Sequence, residues 1–335
     1  MGRKTNRPVL LAALAVFLLA QSLCLANISQ GKDKGSHEFI VKSGTSVSGI
    51  AQQLADEGFI RIPYLFVALS IFYKGKLIAG EYELTPDMGM FHILRKMAHG
   101  ERNIYTLRIV EGNNIFNVAD SAEKAHIMKA GDFLRILKDR SLVTALGIQA
   151  ESLEGYLAPD TYFYSREIDA EKLVEKITQR TLAYFSRDDV KRRMGELRLS
   201  VHDVLTLASM IEREAKQRDE KPVISAVFHN RLRKGMSLDC DPTVLYTADG
   251  VAEGPIRKSD LTAHTPYNTY TLKGLPKGPI CNPDKSSISA VLNPARVDFL
   301  YFVSKNDGTH VFSKDMKDHN RFVTMYQRTK QTKKQ

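Results

Sequence analysis

With 335 residues the chain is long enough for two domains, and its 43% hydrophobic and 26% charged residues exclude a disordered or fibrous protein. The formal net charge is +10, but Arg3, Lys4 and Arg7 at one end and Arg328, Lys330, Lys333 and Lys334 at the other supply seven of those charges. The folded middle is therefore only mildly basic, which argues against a nucleic acid as partner. Of the three cysteines, Cys24 lies in an apolar run, while Cys240 and Cys281 would be able to pair in an oxidising compartment. No Cys-x-x-Cys or regular His spacing accompanies them, so neither a metal site nor a cofactor is expected.

The first segment reads as a membrane signal. Arg3, Lys4, Arg7 and Pro8 precede the uncharged apolar run 9–20, which resumes after Gln21-Ser22 as Leu23-Cys24-Leu25-Ala26. Together these approach the roughly 18–20 residues that span a bilayer. Basic residues before the run and few after it predict a cytoplasmic N-terminus with everything downstream sent across. A cleaved signal peptide is the rival, because Cys24-Leu25-Ala26 loosely resembles a small-residue cleavage site. The bulky Leu23 disfavours a lipoprotein. An uncleaved anchor is favoured, and all three alternatives place the main body outside the cytoplasm.

Residues 27–37 are polar and Gly-containing, as in a linker. Phe39-Ile40-Val41-Lys42 then reads as a strand and Ser43-Gly44-Thr45-Ser46 as a turn and helix cap. Val47, Ile50, Ala51 and Leu54 give a helical stripe that stops at Gly58. A second apolar helix follows Pro63 over 64–73, and Glu81-Tyr82-Glu83-Leu84 alternates as a strand should. This strand–helix–helix–strand order with its Val-Lys-Ser-Gly-Thr turn resembles a LysM-like peptidoglycan-binding module. A fainter strand–Gly–helix echo follows at Ile109-Val110-Glu111-Gly112 with Ile115, Val118 and Ala119.

Residues 128–198 are predicted to be largely helical, interrupted by a connecting loop over 154–162 that contains Pro159. Further on, Ser286–Leu292 reads as a short helix stopped by Pro294. Phe299-Leu300-Tyr301-Phe302-Val303 and His310-Val311-Phe312-Ser313 read as a hairpin across Asn306-Asp307-Gly308. A helix containing His319-Asn320 closes the chain. Helices first and short strands later predict an α+β class.

The best-delimited stretch runs from Ser200 to Tyr246. Ser200 with Asp203 forms a capping-box signature. Pro222 suits the first turn of a second helix, Arg231, Arg233 and Lys234 its last turn, and Gly235 the residue after it. On the first helix Val204, Leu207, Ala208, Ile211 and Ala215 share one face, with Glu212 and Glu214 on its two flanks. A carboxyl half-sunk beside such a stripe has its pKa raised and suits a general acid. Periodicity does not choose between the two glutamates.

These segments, in this order, resemble the MltG-type (YceG-like) endolytic murein transglycosylase family. The matching residues are Glu154-Gly155-Tyr156-Leu157 with Pro159-Asp160-Thr161-Tyr162; Ala208-Ser209-Met210-Ile211-Glu212-Arg213-Glu214; and Asn230-Arg231-Leu232 with Gly235-Met236 and Leu238. They continue with Asp241-Pro242-Thr243-Val244, Tyr246, Tyr267-Asn268-Thr269-Tyr270, Gly274-Leu275-Pro276 and Gly278-Pro279-Ile280, and end with Tyr301-Phe302-Val303, His310, Phe312 and His319-Asn320. Two departures are Ala158, where the family usually has an aromatic, and Asp284, where it usually has Gly. The first is expected to alter one wall of the cleft.

The resemblance implies cleavage of the MurNAc-GlcNAc bond of nascent glycan strands without water, leaving 1,6-anhydroMurNAc ends. It implies Glu214 as the one acid, which protonates the glycosidic oxygen and then, as carboxylate, takes the proton of the muramic C6 hydroxyl as that oxygen closes on C1. A second carboxylate, needed in the usual glycosidase, is not required. Glu212, Asn230, Asp241, Thr243, Tyr246, Tyr267 and Asn268 are the residues expected to support the acid or bind sugar. His310 and His319 are expected to pack or hydrogen-bond rather than carry protons. Stacking on sugar would use Tyr or Phe, because the chain has no Trp.

The implied organisation is a cytoplasmic N-terminus over 1–8, a transmembrane anchor over 9–26, a linker over 27–37, a LysM-like module over 38–105, a mixed α+β catalytic domain over 106–326 and a basic tail over 327–335. The partners implied are peptidoglycan glycan strands, the cell (inner) membrane through the single anchor, and peptidoglycan synthases; the catalytic domain would be periplasmic or extracellular. Two alternatives compete: a hydrolytic muramidase with Asp239 or Asp241 as base, and a non-enzymatic LysM-like wall-binding protein.

Overall fold

Ser46 and Ser200 both start helices by accepting a hydrogen bond from the backbone N–H three residues on, from Gly49 and Asp203 respectively. The computed structural model describes residues 35–74, 76–165, 168–247, 250–252 and 254–328. The expected anchor 9–26, most of the linker 27–37 and most of the basic tail lie outside the described residues. Among the described residues no helix is long and apolar enough to cross a membrane. The chain forms two units, one reaching to Tyr105 and including 163–168, the other made of 106–162 and residues from Asp169 on.

In the first unit β1 (His37–Val41) leads to α1 (Val47–Asp56). Next come α2 (Pro63–Ser70), extended by a tight 3-10 turn over Ile71–Tyr73, and β2 (Gly80–Leu84). Strands β1 and β2 pair antiparallel, from His37 opposite Leu84 to Val41 opposite Gly80. The predicted strand–helix–helix–strand order is present, and a third helix follows it: α3 (Met90–His99). Its Met90, Ile93, Leu94 and Met97 join Phe39, Ile50, Leu54, Phe66 and Tyr82 in one buried core. Their i, i+3, i+4, i+7 spacing marks α3 as amphipathic.

The second unit takes in most of β3 (Tyr105–Ile109), then α4 (Ile115–Lys124), α5 (Ala130–Leu137), α6 (Arg140–Ala145), the first three residues of β4 (Asp160–Tyr164), α7 (Ala170–Phe185) and α8 (Asp188–Leu197). Strands β3 and β4 pair, which corrects the expectation of a plain loop over 154–162: its last three residues already belong to β4. The centre follows: α9 (Val201–Glu214), α10 (Lys221–Arg233), the short α11 (Asp241–Leu245), a two-residue ribbon of β5 (Tyr246–Thr247) and β6 (Gly250–Val251), and α12 (Lys258–Thr262). The unit closes with α13 (Lys285–Leu292), the antiparallel hairpin β7 (Tyr301–Ser304) and β8 (His310–Ser313), and α14 (Met316–Val323).

Helix α9 is the axle of this unit. Every residue from Val204 to Ile211 is buried, including Thr206 and Ser209, so the expected one-sided stripe is too narrow. Helices α10, α11 and α13 pack around it. Its buried hydroxyls are satisfied: Thr206 donates to His202 O at 2.7 Å and Ser209 to Thr206 O at 2.8 Å. Helix α10 ends as its sequence predicts. Gly235 takes a left-handed φ of 63°, while its N–H reaches Leu232 O and the Met236 N–H reaches Arg231 O, a Schellman closure.

Three helices are locked by a buried ion cluster. Lys221, at the start of α10 and only 4% exposed, donates from Nζ to Glu212 Oε2 of α9 at 3.1 Å, to Asp284 Oδ1 at 3.0 Å and to Ser286 Oγ at 2.9 Å. Asp284 also caps α13 by accepting from Ser287 N at 2.7 Å. Burial alone would raise the Asp284 carboxyl, but Ser286, the Ser287 amide and Lys221 together hold it well below the usual carboxylate range.

Removing the cation would strand two acids in a nearly dry site. Lys221→Met is therefore expected to destabilise the second unit by about 3–5 kcal/mol, the cost of breaking a buried pair from one side. Urea denaturation measures it, and a loss below about 1 kcal/mol, the value of a surface pair, would refute a structural role for the cluster.

Candidate functional site

Two adjoining hollows in the second unit meet at the end of α9. One, about 650 Å³, is lined by Asn114, Arg213, Lys216, Tyr246 and Ile280 among others. The other, about 320 Å³, is lined by Arg231, Tyr270 and His319 among others. Glu214, Asp241, Ser304 and His310 border both.

Glu214 is the last residue of α9, partly buried. Burial first, and the nearby Asp241 charge second, push its carboxyl up to about 8 from an ordinary value of 4.5. The C-terminal end of a helix disfavours a negative charge as well. Glu214 is thus protonated at neutral pH and faces a cleft, the condition of a general acid. The buried Cys240 thiol lies 4.0 Å from Glu214 Oε2 and points its weak donor at it. Burial, Glu214 and Asp241 together keep that thiol well above its ordinary pKa. Cys240 and Cys281 are free buried thiols in this structure, and Cys281 donates to Ser209 O at 3.4 Å.

Asp241 opens α11, immediately after Cys240, and accepts a hydrogen bond from the Tyr270 hydroxyl at 2.5 Å. Asp239, the other carboxylate at the smaller hollow, is tied to Arg231 at 2.7 Å. His310 is held by Glu220, which accepts from its ring Nδ1 at 2.7 Å and from its backbone N–H at 2.8 Å. The His319 ring packs tilted against Tyr301 at 5.1 Å, and burial, with the Arg231 charge, lowers its pKa.

Of the residues expected beside the acid, Asp241 and Tyr246 line the cleft with Glu214, while Tyr267 packs edge-on against the Tyr246 ring at 4.7 Å. The other four belong to the scaffold. Glu212 accepts from Lys221, from Asp284 N at 3.0 Å and from Ser287 Oγ at 2.6 Å, so its carboxylate is spent within the protein. Asn230 donates to Val297 O and Phe299 O, both at 2.9 Å, and ties the approach to β7 onto α10. Fully buried Asn268 gives its amide to the carbonyls of Asp260, Leu261 and Ala263. Thr243, also fully buried, bonds Cys240 O at 2.6 Å and Thr269 Oγ1 at 2.9 Å. Ala158 does not wall this cleft either; it lines a separate hollow of about 400 Å³ with Arg108 and Arg180.

One acid beneath the cleft was missed as a site residue. Glu154 is 3% exposed, and its Oε2 accepts from the Tyr246 hydroxyl at 2.7 Å and from the Ile115 N–H at 3.1 Å. Burial raises its pKa to about 7 against the lowering effect of those donors. Its loop is fixed from below. Gly155 has φ +82°, and a Cβ there would sit 2.5 Å from Pro279. Leu157 N donates to Asn282 Oδ1 at 2.9 Å, and Asn282 in turn bonds Asn113 O. The sequence signal was present in Leu153-Glu154-Gly155-Tyr156-Leu157, a lone acid inside an apolar run.

The YceG-like family profile matches residues 39–325. A protein named endolytic murein transglycosylase from Bacillus subtilis is 34% identical over 311 residues, covering 88% of this chain and 85% of that protein. One of the same name from Streptococcus pneumoniae is 25% identical over 340 residues, covering 89% of this chain and 60% of the longer relative. A 2.6 Å crystal structure of a YceG-like protein from Listeria monocytogenes superposes with a TM-score of 0.59 at 33% identity, over 87% of this chain and all of that one.

Two outcomes follow from the carboxyls. In wild type, Glu214 should titrate near pH 8 by carboxyl NMR; Asp241→Asn removes the repelling charge and should move the midpoint down. An unmoved midpoint would refute that coupling. Glu154 and Glu214 both hold protons in the fold, to about 7 and about 8, that an unfolded chain loses near 4.5. The stability that these two groups contribute should thus be greatest below pH 4.5, fall through the window to about 8 and level off. Urea denaturation at pH 5 and 8 should show a smaller fall in Glu214→Gln than in wild type.

Proposed function

The chain belongs to the YceG-like family, and on that footing we propose that it is an endolytic murein transglycosylase. We infer that it cuts the MurNAc-GlcNAc bond of nascent glycan strands and leaves 1,6-anhydroMurNAc ends. The observation that carries this reading is Glu214, a carboxyl poised near 8 where two hollows meet.

Chemically, one such group is enough. Protonated Glu214 gives its proton to the glycosidic oxygen as positive charge gathers on C1 of the muramic residue. The resulting carboxylate sits in a poorly hydrated site next to Asp241, so it is a stronger base than in water. It recovers a proton from the muramic C6 hydroxyl as O6 bonds to C1. No water enters the product, and the acid ends as it began. Asp241 tunes the acid through its charge, while Glu154 holds Tyr246 in the cleft wall. The strand–helix–helix–strand unit is read as a LysM-like peptidoglycan-binding module, and the apolar run 9–26 as the single membrane anchor that places the catalytic unit on the outer side of the cell membrane.

The test is mass spectrometry of fragments released from purified murein. Wild type should release anhydro-ended fragments lacking the mass of one water, and Glu214→Gln should lose about two to four orders of magnitude in rate, the usual worth of a general acid. Reducing-ended products would favour a hydrolase with Asp241 as base. Undiminished anhydro products from the variant would remove Glu214 from the reaction. Binding to sacculi with no released fragment would leave a wall-binding protein.

A further inference from the structure

Residues 62–73, Ile-Pro-Tyr-Leu-Phe-Val-Ala-Leu-Ser-Ile-Phe-Tyr, contain no charge, and they form α2 and the 3-10 turn that extends it. One side of this element is core: Phe66 and Ser70 are buried, and Leu65, Leu69 and Tyr73 pack against the first unit's interior. The opposite side faces water yet is equally apolar. Tyr64 is 86%, Ile71 74% and Phe72 78% exposed, and Ala68 between them is exposed too. Positions 64, 68, 71 and 72 follow the i, i+4, i+7, i+8 spacing of a single helical stripe. A helix apolar all round belongs in a protein interior or at a membrane.

Two further observations say which. From Gly58 to Gly80 the only charged residues are Arg61, Lys74 and Lys76, with no acid, so the stripe is flanked by cations alone. Aromatic and aliphatic side chains bordered by Lys and Arg are the composition of elements that lie in the bilayer interface, where anionic headgroups attract the basic flank. The other observation is the short link between the apolar run and this unit. The run ends at Ala26 and β1 starts at His37, with ten residues between them. Ten residues fully extended reach about 36 Å at most, so a unit tethered this way stays near the bilayer surface.

We propose that the Tyr64–Phe72 stripe is a membrane-docking face that settles into the headgroup region of an anionic bilayer and holds the first unit against it. This rests on reading 9–26 as an anchor. Docking adds a second attachment point, which restricts the heights above the membrane that the unit samples.

Because the chain has no Trp, Phe72→Trp in the full-length protein is a lone reporter. The protein is reconstituted into phosphatidylglycerol–phosphatidylethanolamine vesicles, with part of the acyl chains brominated, and flotation is read alongside fluorescence. The expected result is a floating protein whose Trp emission is blue-shifted and quenched by the brominated chains, with quenching that weakens as phosphatidylglycerol is withdrawn. Tyr64→Trp should behave alike; Phe163→Trp, at an aromatic exposed elsewhere, is the control. A floating protein whose Trp at 72 is quenched no more than the control overturns docking and spares the anchor. A protein that stays in solution overturns both. A blue-shifted but unquenched Trp would mean that protein covers the face, and shielding only on adding glycan strands would mean that sugar does; each overturns the proposal.

Discussion

Three helices at the centre of the second unit meet on one buried ammonium group. Lys221 joins α9 to α10 and to the start of α13 through Glu212, Asp284 and Ser286. It thereby settles the different fates of two acids two residues apart on one helix. Glu212 turns inward and is neutralised, while Glu214, at the helix end, has no such cation and faces the cleft. Burial and the Asp241 charge raise the Glu214 carboxyl, whereas the Glu212 carboxylate accepts from Lys221, Asp284 N and Ser287. Asp284 gives Lys221 a second counter-charge and caps α13.

The clamp at the far end of α10 works by other means. Asn230 and Arg231 spend their donors on carbonyls: those of Val297 and Phe299 for the first, and of Leu300, Ser237 and Leu238 for the second. Two segments distant in sequence are thereby fixed to a single helical turn. One runs on through Cys240 to Asp241, and the other enters β7, which brings Ser304 to the cleft. The polar residues that look most chemical in the sequence hold the frame, and the frame presents a much smaller set to the substrate.

That contrast explains what was legible beforehand. Helix ends are written locally, in Ser200 with Asp203 and in Arg231 to Met236, and there the predicted boundaries match the structure. The hairpin around Asn306-Asp307-Gly308 was readable for the same reason. Orientation across the fold was not. Asn230 meets its partners 67 and 69 residues later, and Tyr246 reaches Glu154 across 92, separations at which no local pattern tells a sugar ligand from a strut. Helix α9 shows a related limit, because its neighbours cover all sides from Val204 to Ile211 and erase the amphipathic stripe on which the orientation of its acids was judged. Only the family resemblance singles out Glu214; the partners that separate it from Glu212, above all Lys221, lie outside any local pattern.

A pocket with a blind end measures its substrate from a terminus and releases pieces of fixed size. Here Glu214 stands where two hollows adjoin, with Asp241, Ser304 and His310 common to both, so on the proposed function a glycan strand would extend to either side of the reacting bond. Such an arrangement would have nothing to count from. The lengths of the fragments would then be governed by how long each stretch of strand remains within reach of the enzyme, a matter of timing and not of molecular rulers.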